Sequence, residues 1–196
     1  MPTPARTSLD DIVHAGREIL ESDGLTGLTM QAVADRVGVR APSLYKRVRS
    51  RDDLIRLIAT TAAHDLGDQL DAIVNRSPGT PDAQEQLTKL AHTVRAFARA
   101  RPGQYRLIFA PFTEATAPDQ EALTHSVAAL LRVTTELAGP DHALDAARTV
   151  TAWANGFIGM ENAGTFRLGG DVDRAYEFGI TSLAAALADR RSRPGD

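Results

Sequence analysis

Apolar residues recur along this chain at three- and four-residue intervals from Leu9 almost to its end, and no stretch alternates strictly. Leu9, Ile12, Val13, Gly16, Ile19 and Leu20 mark the inner stripe of a first helix. Ser8, with Asp11 three residues on, gives the capping-box pattern that opens it, and Gly24 is placed to end it in a left-handed cap. Thr29 reads as the N-cap of a short second helix, with Leu28 and Val33 as its hydrophobic staple. Met30, Val33, Ala34 and Val37 form its apolar side, and Gly38 breaks it. A third short helix is expected over 41–48, with Pro42 in a first turn whose N–H groups lack helical partners anyway.

Ser50 and Asp53 repeat the capping-box pattern ahead of a long helix to residue 75, which carries Leu54, Ile58, Leu66, Leu70 and Ile73. Gly67 lies in its interior, at a cost of about 1 kcal/mol relative to alanine. Ser77-Pro-Gly-Thr-Pro81 is a break. Further helices are expected over 82–101, 102–110, 118–138, 141–167 and 172–190, with Ala-Gly-Pro at 138–140 and Leu-Gly-Gly at 168–170 as separators and a frayed tail after them. The pattern predicts an all-α fold.

Composition narrows the classes. The chain has 196 residues, 43% of them hydrophobic and 24% charged, the make-up of a packed globular protein. It has no cysteine, which excludes disulfides, thiol catalysis and cysteine-ligated metal centres and fits a reducing compartment. No apolar run approaches the length of a membrane span, and the opening MPTPARTSLDD has no apolar signal core, so a cytoplasmic protein without a membrane partner is expected. The net charge is −3, yet residues 36–51 hold six basic side chains (Arg36, Arg40, Lys46, Arg47, Arg49, Arg51) and no acidic one. A basic patch on an acidic chain suits either nucleic acid or a solvated charged loop.

Two short helices joined at Gly38 and followed by that patch make a helix-turn-helix candidate, with 41–48 as the recognition helix. Arg40, Ala41, Pro42, Ser43, Tyr45, Lys46 and Arg47 are the candidate contact residues. Arginine can read guanine bidentately, and Ala41 or Pro42 could touch a thymine methyl. Thr29 and Met30, at a helix N-terminus, suit a phosphate contact through backbone N–H groups.

The segment Leu28-Thr-Met-Gln-Ala-Val-Ala-Asp-Arg-Val-Gly-Val39, then Ala41-Pro-Ser-Leu-Tyr-Lys-Arg-Val48 and Ser50-Arg-Asp-Asp-Leu-Ile55, resembles the DNA-binding domain of the TetR (tetracycline-repressor) family over residues 9–58. The resemblance implies a dimeric transcriptional regulator, usually a repressor, that binds a palindromic operator in double-stranded DNA and is released by a small-molecule effector. It implies that Leu44 packs inward, that Tyr45 reaches a phosphate and that Arg51 contacts the DNA backbone. Lys46, Arg47 and Val48 replace the aromatic, His or Tyr, and Phe that many members carry, so this reading head is more basic. A second stretch, Asn155-Gly-Phe-Ile-Gly-Met-Glu-Asn-Ala-Gly-Thr-Phe-Arg-Leu168 with Asp171-Val-Asp-Arg-Ala-Tyr176, is similar to a regulatory-domain type of the same family. The domains expected are a helix-turn-helix domain over 1–50 and a ligand-binding and dimerisation domain over 51–196.

Small residues at Ala152, Gly156 and Gly159 would let two helices approach closely, across a subunit interface or within one subunit. Since the last two helices form the dimer face in the family, the resemblance implies an interface of Ala152, Gly156, Gly159, Met160, Ala163, Tyr176, Ile180, Leu183 and Leu187. Candidate effector contacts are Phe97, Tyr105, Phe109, Phe112, Trp153, Asn155 and Phe157, with His92, Arg95, Gln104 and Asn162 as further polar groups, although aromatics at helical spacing usually serve the core. Ligand is expected to act by shifting the helix at 102–110, which levers the long helix. No nucleophile-elbow, Walker, dinucleotide-binding or zincin motif is present, so an enzyme is not expected. His64 and Asp68 share a helix face beside Asp65 and Asp71, a spacing that can hold a metal but more commonly marks a solvated face; neither metal nor cofactor is expected. Glu161, alone in an apolar segment, could be a paired carboxylate, a ligand contact or an interface charge. The rival to a DNA-binding regulator is an all-helical protein-interaction module whose basic head meets an acidic partner.

Overall fold

The structure, a computed structural model, describes residues 7–75, 82–109 and 111–191; the break expected at 77–81 and the end of the tail lie outside the described residues. Among the described residues there is no strand. The helices are α1 (Leu9–Gly27), α2 (Met30–Val37), α3 (Ala41–Leu44), α4 (Arg51–Val74), α5 (Ala83–Ala100), α6 (Pro102–Phe109), α7 (Gln120–Ala138), α8 (Ala143–Asn162) and α9 (Val172–Arg191), with a 3₁₀ turn at Pro140–His142. By packing, the described residues up to Ala63 form one unit with Arg101–Leu123, and His64–Ala100 form a second with those from Thr124 onward. Helix α4 is continuous through the boundary between Ala63 and His64.

In the first unit the predicted caps are made. Ser8 Oγ accepts from the Asp11 N–H at 3.0 Å, and the Asp11 carboxylate accepts from the Ser8 N–H at 2.9 Å. That backbone donor holds the Asp11 carboxyl below its ordinary range. Gly24 does take a left-handed φ of +69°, but its extended ψ breaks the helix and a further turn follows to Gly27. Thr29 Oγ1 accepts from the Ala32 N–H at 3.1 Å, and Leu28 and Val33 are both fully buried, as a staple requires. Gly38 adopts φ +74°, its N–H turning back to the Ala34 and Asp35 carbonyls while the Val39 N–H reaches Ala34 O at 2.9 Å. The Ser50 cap differs in one bond: Asp53 accepts from the Arg49 N–H at 2.9 Å, one residue earlier than a capping box, and that donor holds the Asp53 carboxyl low.

The third helix is shorter than expected. Only Ala41–Leu44 is α-helical, followed by a turn in which the Arg47 and Val48 N–H groups both reach Leu44 O. Arg40 makes no side-chain cap, and the segment is pinned by the core contacts of Leu44 and Val48, with Val39 and Ala41 packed at their edge. The core beneath it is Ile12, Ala15, Ile19, Leu20, Leu28, Met30, Val33, Ala34, Leu54, Ile55 and Ile58.

The second unit packs α5 against α9 and α8. Helix α8 stops at Asn162 rather than continuing to 167, because Gly164 takes φ +63° and the Thr165 N–H closes on Met160 O at 3.0 Å. Tyr176 is fully buried, donates to Ala91 O at 2.8 Å, and has Trp153 and Phe157 at 4.9 and 5.0 Å between ring centroids. The Arg95 guanidinium lies 4.5 Å above the Tyr176 ring. Arg95, only 4% exposed, makes a bidentate pair with Glu161 at 2.9 and 2.6 Å; Arg99 bridges Glu161 and Asp173 at 2.7 Å to each. Of the three readings open for Glu161, the structure selects the paired carboxylate, and the Arg95 guanidinium holds it well below the usual carboxylate range. Burial pushes the Tyr176 phenol up.

Two glycines explain themselves by close approach. A Cβ on Gly67 would overlap the His125 ring, which bonds Asp68 at 2.8 Å, so the supposed weak point of α4 is where a side chain of α7 lies against it. A Cβ on Gly179 would overlap the Trp153 ring. Gly179→Ala is therefore expected to lose about 1–3 kcal/mol of stability in urea unfolding, against a helix propensity that favours alanine by about 1 kcal/mol. The Arg95 pair makes the opposite kind of test. Because the Glu161 pKa is depressed on folding, its contribution is present at neutral pH and is lost as pH falls below about 4. Glu161→Gln should lower stability at pH 7 by about 3 kcal/mol and flatten the acid limb of the stability–pH curve relative to the parent chain.

Candidate nucleic-acid interface

The reading head is built from elements too short to stand alone. Helix α2 has eight residues and α3 four, below the length that holds a helix in water. They are fixed by anchors facing inward: Val33 and Ala34 on α2, Leu44 and Val48 on α3 and its turn, all buried. With Leu44 and Val48 inside, the intervening side chains face solvent. Arg40, Pro42, Ser43, Tyr45, Lys46 and Arg47 are exposed, Tyr45 to 54%, and Ala41 is half-exposed. Arg49 is exposed beside them. Seven of the ten expected contact residues thus share one solvent-facing segment.

The other three have different roles. Thr29 is exposed but its hydroxyl caps α2. Met30 is 9% exposed and its side chain belongs to the core, as the apolar side of α2 predicts, which leaves only its backbone N–H for the phosphate contact expected there. Arg51 is half-buried and turns its guanidinium inward, Nε donating to Leu28 O at 2.6 Å and Nη2 to Leu25 O. It straps the α1–α2 loop to the start of α4, a correction to the phosphate contact the resemblance implied. Arg36 pairs with Glu18 at 3.1 Å, so part of the basic run is locally neutralised.

The expected regulatory residues divide between the units. Tyr105, Phe109 and Phe112 lie in the first, with Tyr105 buried, Phe109 and Phe112 exposed, and the Tyr105 and Phe109 rings 4.7 Å apart. Phe97, Trp153, Asn155 and Phe157 lie in the second, where Phe97 is buried and Trp153 and Phe157 join the cluster around Tyr176. His92 pairs with Glu177 at 2.6 Å, and Arg95 is committed to Glu161.

Of the expected interface residues, Ala152, Gly156, Gly159, Met160 and Ala163 share an exposed face of α8, and a Cβ on Gly156 or Gly159 would meet nothing within 4 Å. Tyr176 and Ile180 are fully buried and belong to the subunit interior, a correction; Leu183 and Leu187 are half-buried. Tyr176, Ile180 and Ala184 repeat every four residues and fix the inner side of α9, which leaves Phe178 on the opposite side at 72% exposure. Sequence reasoning missed Phe178, although that period held the signal. Phe178 borders a cleft of about 420 Å³ with Phe166, Val172, Arg174 and the Gly169-Gly170 backbone. Among the described residues no group of His, Cys, Asp and Glu has the arrangement to hold a metal ion, and none of the helices is long and apolar enough to cross a membrane.

Comparison with known proteins agrees with this geometry. A family model described as "Bacterial regulatory proteins, tetR family" matches residues 12–58, the reading head. A second, described as "Tetracyclin repressor-like, C-terminal domain", matches residues 87–183. A helix-turn-helix-type transcriptional regulator of Mycobacterium tuberculosis is 26% identical over 98% of this chain and 87% of its own length. A structure from Rhodococcus sp. RHA1 is 23% identical, covering 95% of this chain and all of that one with a TM-score of 0.77. A TetR variant from Acinetobacter baumannii AYE, solved in complex with minocycline, is 20% identical over 95% of this chain and 99% of its own, with a TM-score of 0.70, a likeness of fold. With an exposed basic helix-turn-helix matched by one family model and a helical second part matched by another, this chain belongs to the TetR family of DNA-binding transcriptional regulators.

Proposed function

We propose that this chain is a ligand-responsive repressor that binds an inverted-repeat operator as a homodimer in the cytoplasm and is released by a small-molecule effector. The observation that carries the DNA part is the outward set Arg40, Ala41, Pro42, Ser43, Tyr45, Lys46 and Arg47 over the buried Leu44 and Val48. On this reading α3 enters the major groove, Arg47 and Lys46 reach base edges, Tyr45 reaches a phosphate, and the first turn of α2, at Thr29, offers backbone N–H groups to another. Arg51 acts indirectly by holding the loop before α2.

The dimer part is supported by Gly156 and Gly159, whose missing side chains serve no packing need within the subunit. A face of Ala152, Gly156, Gly159, Met160 and Ala163 lets a second α8 approach closely, and Phe178 adds apolar area on α9. Effector binding is proposed for the second unit, with Phe97, Trp153, Asn155 and Phe157 as the side chains from which its contacts are drawn.

Selection of random duplex DNA by the purified chain is the first test. An enriched inverted repeat with half-sites centred about 34–36 Å apart is the expected product. A folded chain that enriches nothing would favour a basic head meeting an acidic protein. On the selected duplex, Arg47→Ala should cost about 1–3 kcal/mol in a binding titration and relax preference at one base pair in each half-site. Unchanged affinity and preference would remove Arg47 from base readout. For the dimer, Gly156→Ala separates two expectations. In an isolated subunit it would be neutral or stabilising by up to about 1 kcal/mol. Across a tight helix pair it should shift the monomer–dimer equilibrium toward monomer in sedimentation at micromolar protein.

A further inference from the structure

The first turn of any helix leaves backbone N–H groups without helical partners. In α6 they are met by a residue far away in sequence. Glu21, on α1, accepts from the Gly103 N–H at 2.8 Å through Oε2 and from the Gln104 N–H at 3.0 Å through Oε1. The Gln104 side-chain amide donates to the same Oε1 at 3.1 Å. A carboxylate at this end of a helix is also favoured by the helix dipole. Gln104 is 3% exposed and Glu21 half-buried, so these bonds are partly shielded from competing water.

The approach of the two helices is as close as the chain allows. A Cβ on Gly103 would lie 2.9 Å from Leu20 Cγ, 3.0 Å from the Leu20 carbonyl oxygen and 3.1 Å from Glu21 Oε2. One turn on, Leu107 packs against the core that also holds Leu28, Val33, Leu44 and Val48. Helix α6 therefore belongs to the same packed body as the reading head. It cannot slide along or lift from α1 without stripping one carboxylate of three donors. The expected route from 102–110 to the long helix is not the contact the structure builds most closely; the route to α1 is.

We propose that Glu21 is a positioning residue for DNA binding, the latch that ties the place of α6 to the operator affinity of the reading head. This rests on the reading of the basic segment as the DNA contact. A change that pulls α6 away from α1 weakens operator binding, and operator binding in turn tightens the latch, since coupling between two events is reciprocal.

The test uses the full chain and its selected duplex, with amide hydrogen exchange read at Gly103 and Gln104. In the parent chain, saturating duplex should slow exchange at both amides about fivefold or more. In Glu21→Ala both amides should exchange fast with or without duplex, and operator affinity should fall about fivefold with the salt slope unchanged, because no phosphate contact is lost. Glu21→Gln, which keeps one acceptor oxygen, should fall between. Gly103→Ala leaves the carboxylate in place but wedges the helices apart, and it should likewise abolish the duplex-dependent protection. A purely structural role would lower the unfolding midpoint of the variants while leaving exchange at 103 and 104 in the parent indifferent to duplex; that result overturns the latch. So does full operator affinity in Glu21→Ala with both amides deprotected. A chain that selects no duplex overturns the DNA-binding reading and the latch together, whereas a bound duplex with unmoved exchange overturns the latch alone.

Discussion

Helices of eight and four residues are not stable in water, and the reading head of this protein depends on overcoming that. The solution is one long helix with a fully committed inner face. Ile12, Ala15, Ile19 and Leu20 on α1 form the floor, and α2 and α3 each contribute a few anchors to it. Gly16 lets Ile58 of α4 close the same floor from the other side. Local devices fix where each short piece starts and stops: the Thr29 cap, the left-handed Gly38, the Ser50 cap. None would suffice without the floor, and the floor would not orient α3 without them. The exposed basic residues are therefore carried on a segment whose two buried side chains, Leu44 and Val48, leave it little freedom to turn.

Charge in the molecule sorts into groups that hold structure and groups left for solvent. Arg51 bonds two backbone carbonyls, Arg36 pairs with Glu18, and Arg56 ties Asp53 to Asp119. Arg95 and Arg99 are bound up with Glu161 and Asp173. The arginines nearest the recognition segment, Arg40 and Arg47, are exposed, and so is Lys46. A count of basic residues overstates the positive potential available to a partner, because position in the packing decides which cations are already spoken for.

Much of this was legible in the sequence, and the failures have physical causes. Caps and breaks obey local rules, so Ser8, Thr29 and Gly38 could be read from their neighbours alone. The inward sets of α1 and α2 followed from helical spacing, while the inward turn of Leu44 came from the resemblance. Where a residue's role is decided by something distant, local reading failed. Arg51 looked like a DNA contact, yet its guanidinium reaches 23 residues back to Leu28 O. Gly67 looked like a flaw in α4 until His125, far along the chain, was seen to occupy its missing side chain. Tyr176 and Ile180 were assigned to the outside of α9 because the resemblance gave the helix but not its rotation. The end of α8 was missed because Gly164 was read as part of a family pattern and not as a cap.

The two units differ in what their closest contacts permit. In the second, aromatic rings and a buried ion pair fasten α5, α8 and α9 together, with Trp153 seated over Gly179 and Arg95 over Tyr176. Such contacts have discrete geometries and resist small adjustments. In the first, α6 meets α1 through the Glu21 carboxylate and the bare Gly103 backbone, with Leu107 packed against the hydrophobic floor beneath. A regulator needs one such joint, strong enough to define a state and narrow enough to be released. A polar clasp at a helix end meets both demands, because its bonds fail together once the helix shifts by more than hydrogen-bond tolerance. Helix α4, unbroken from Arg51 to Val74, is the covalent element common to both units.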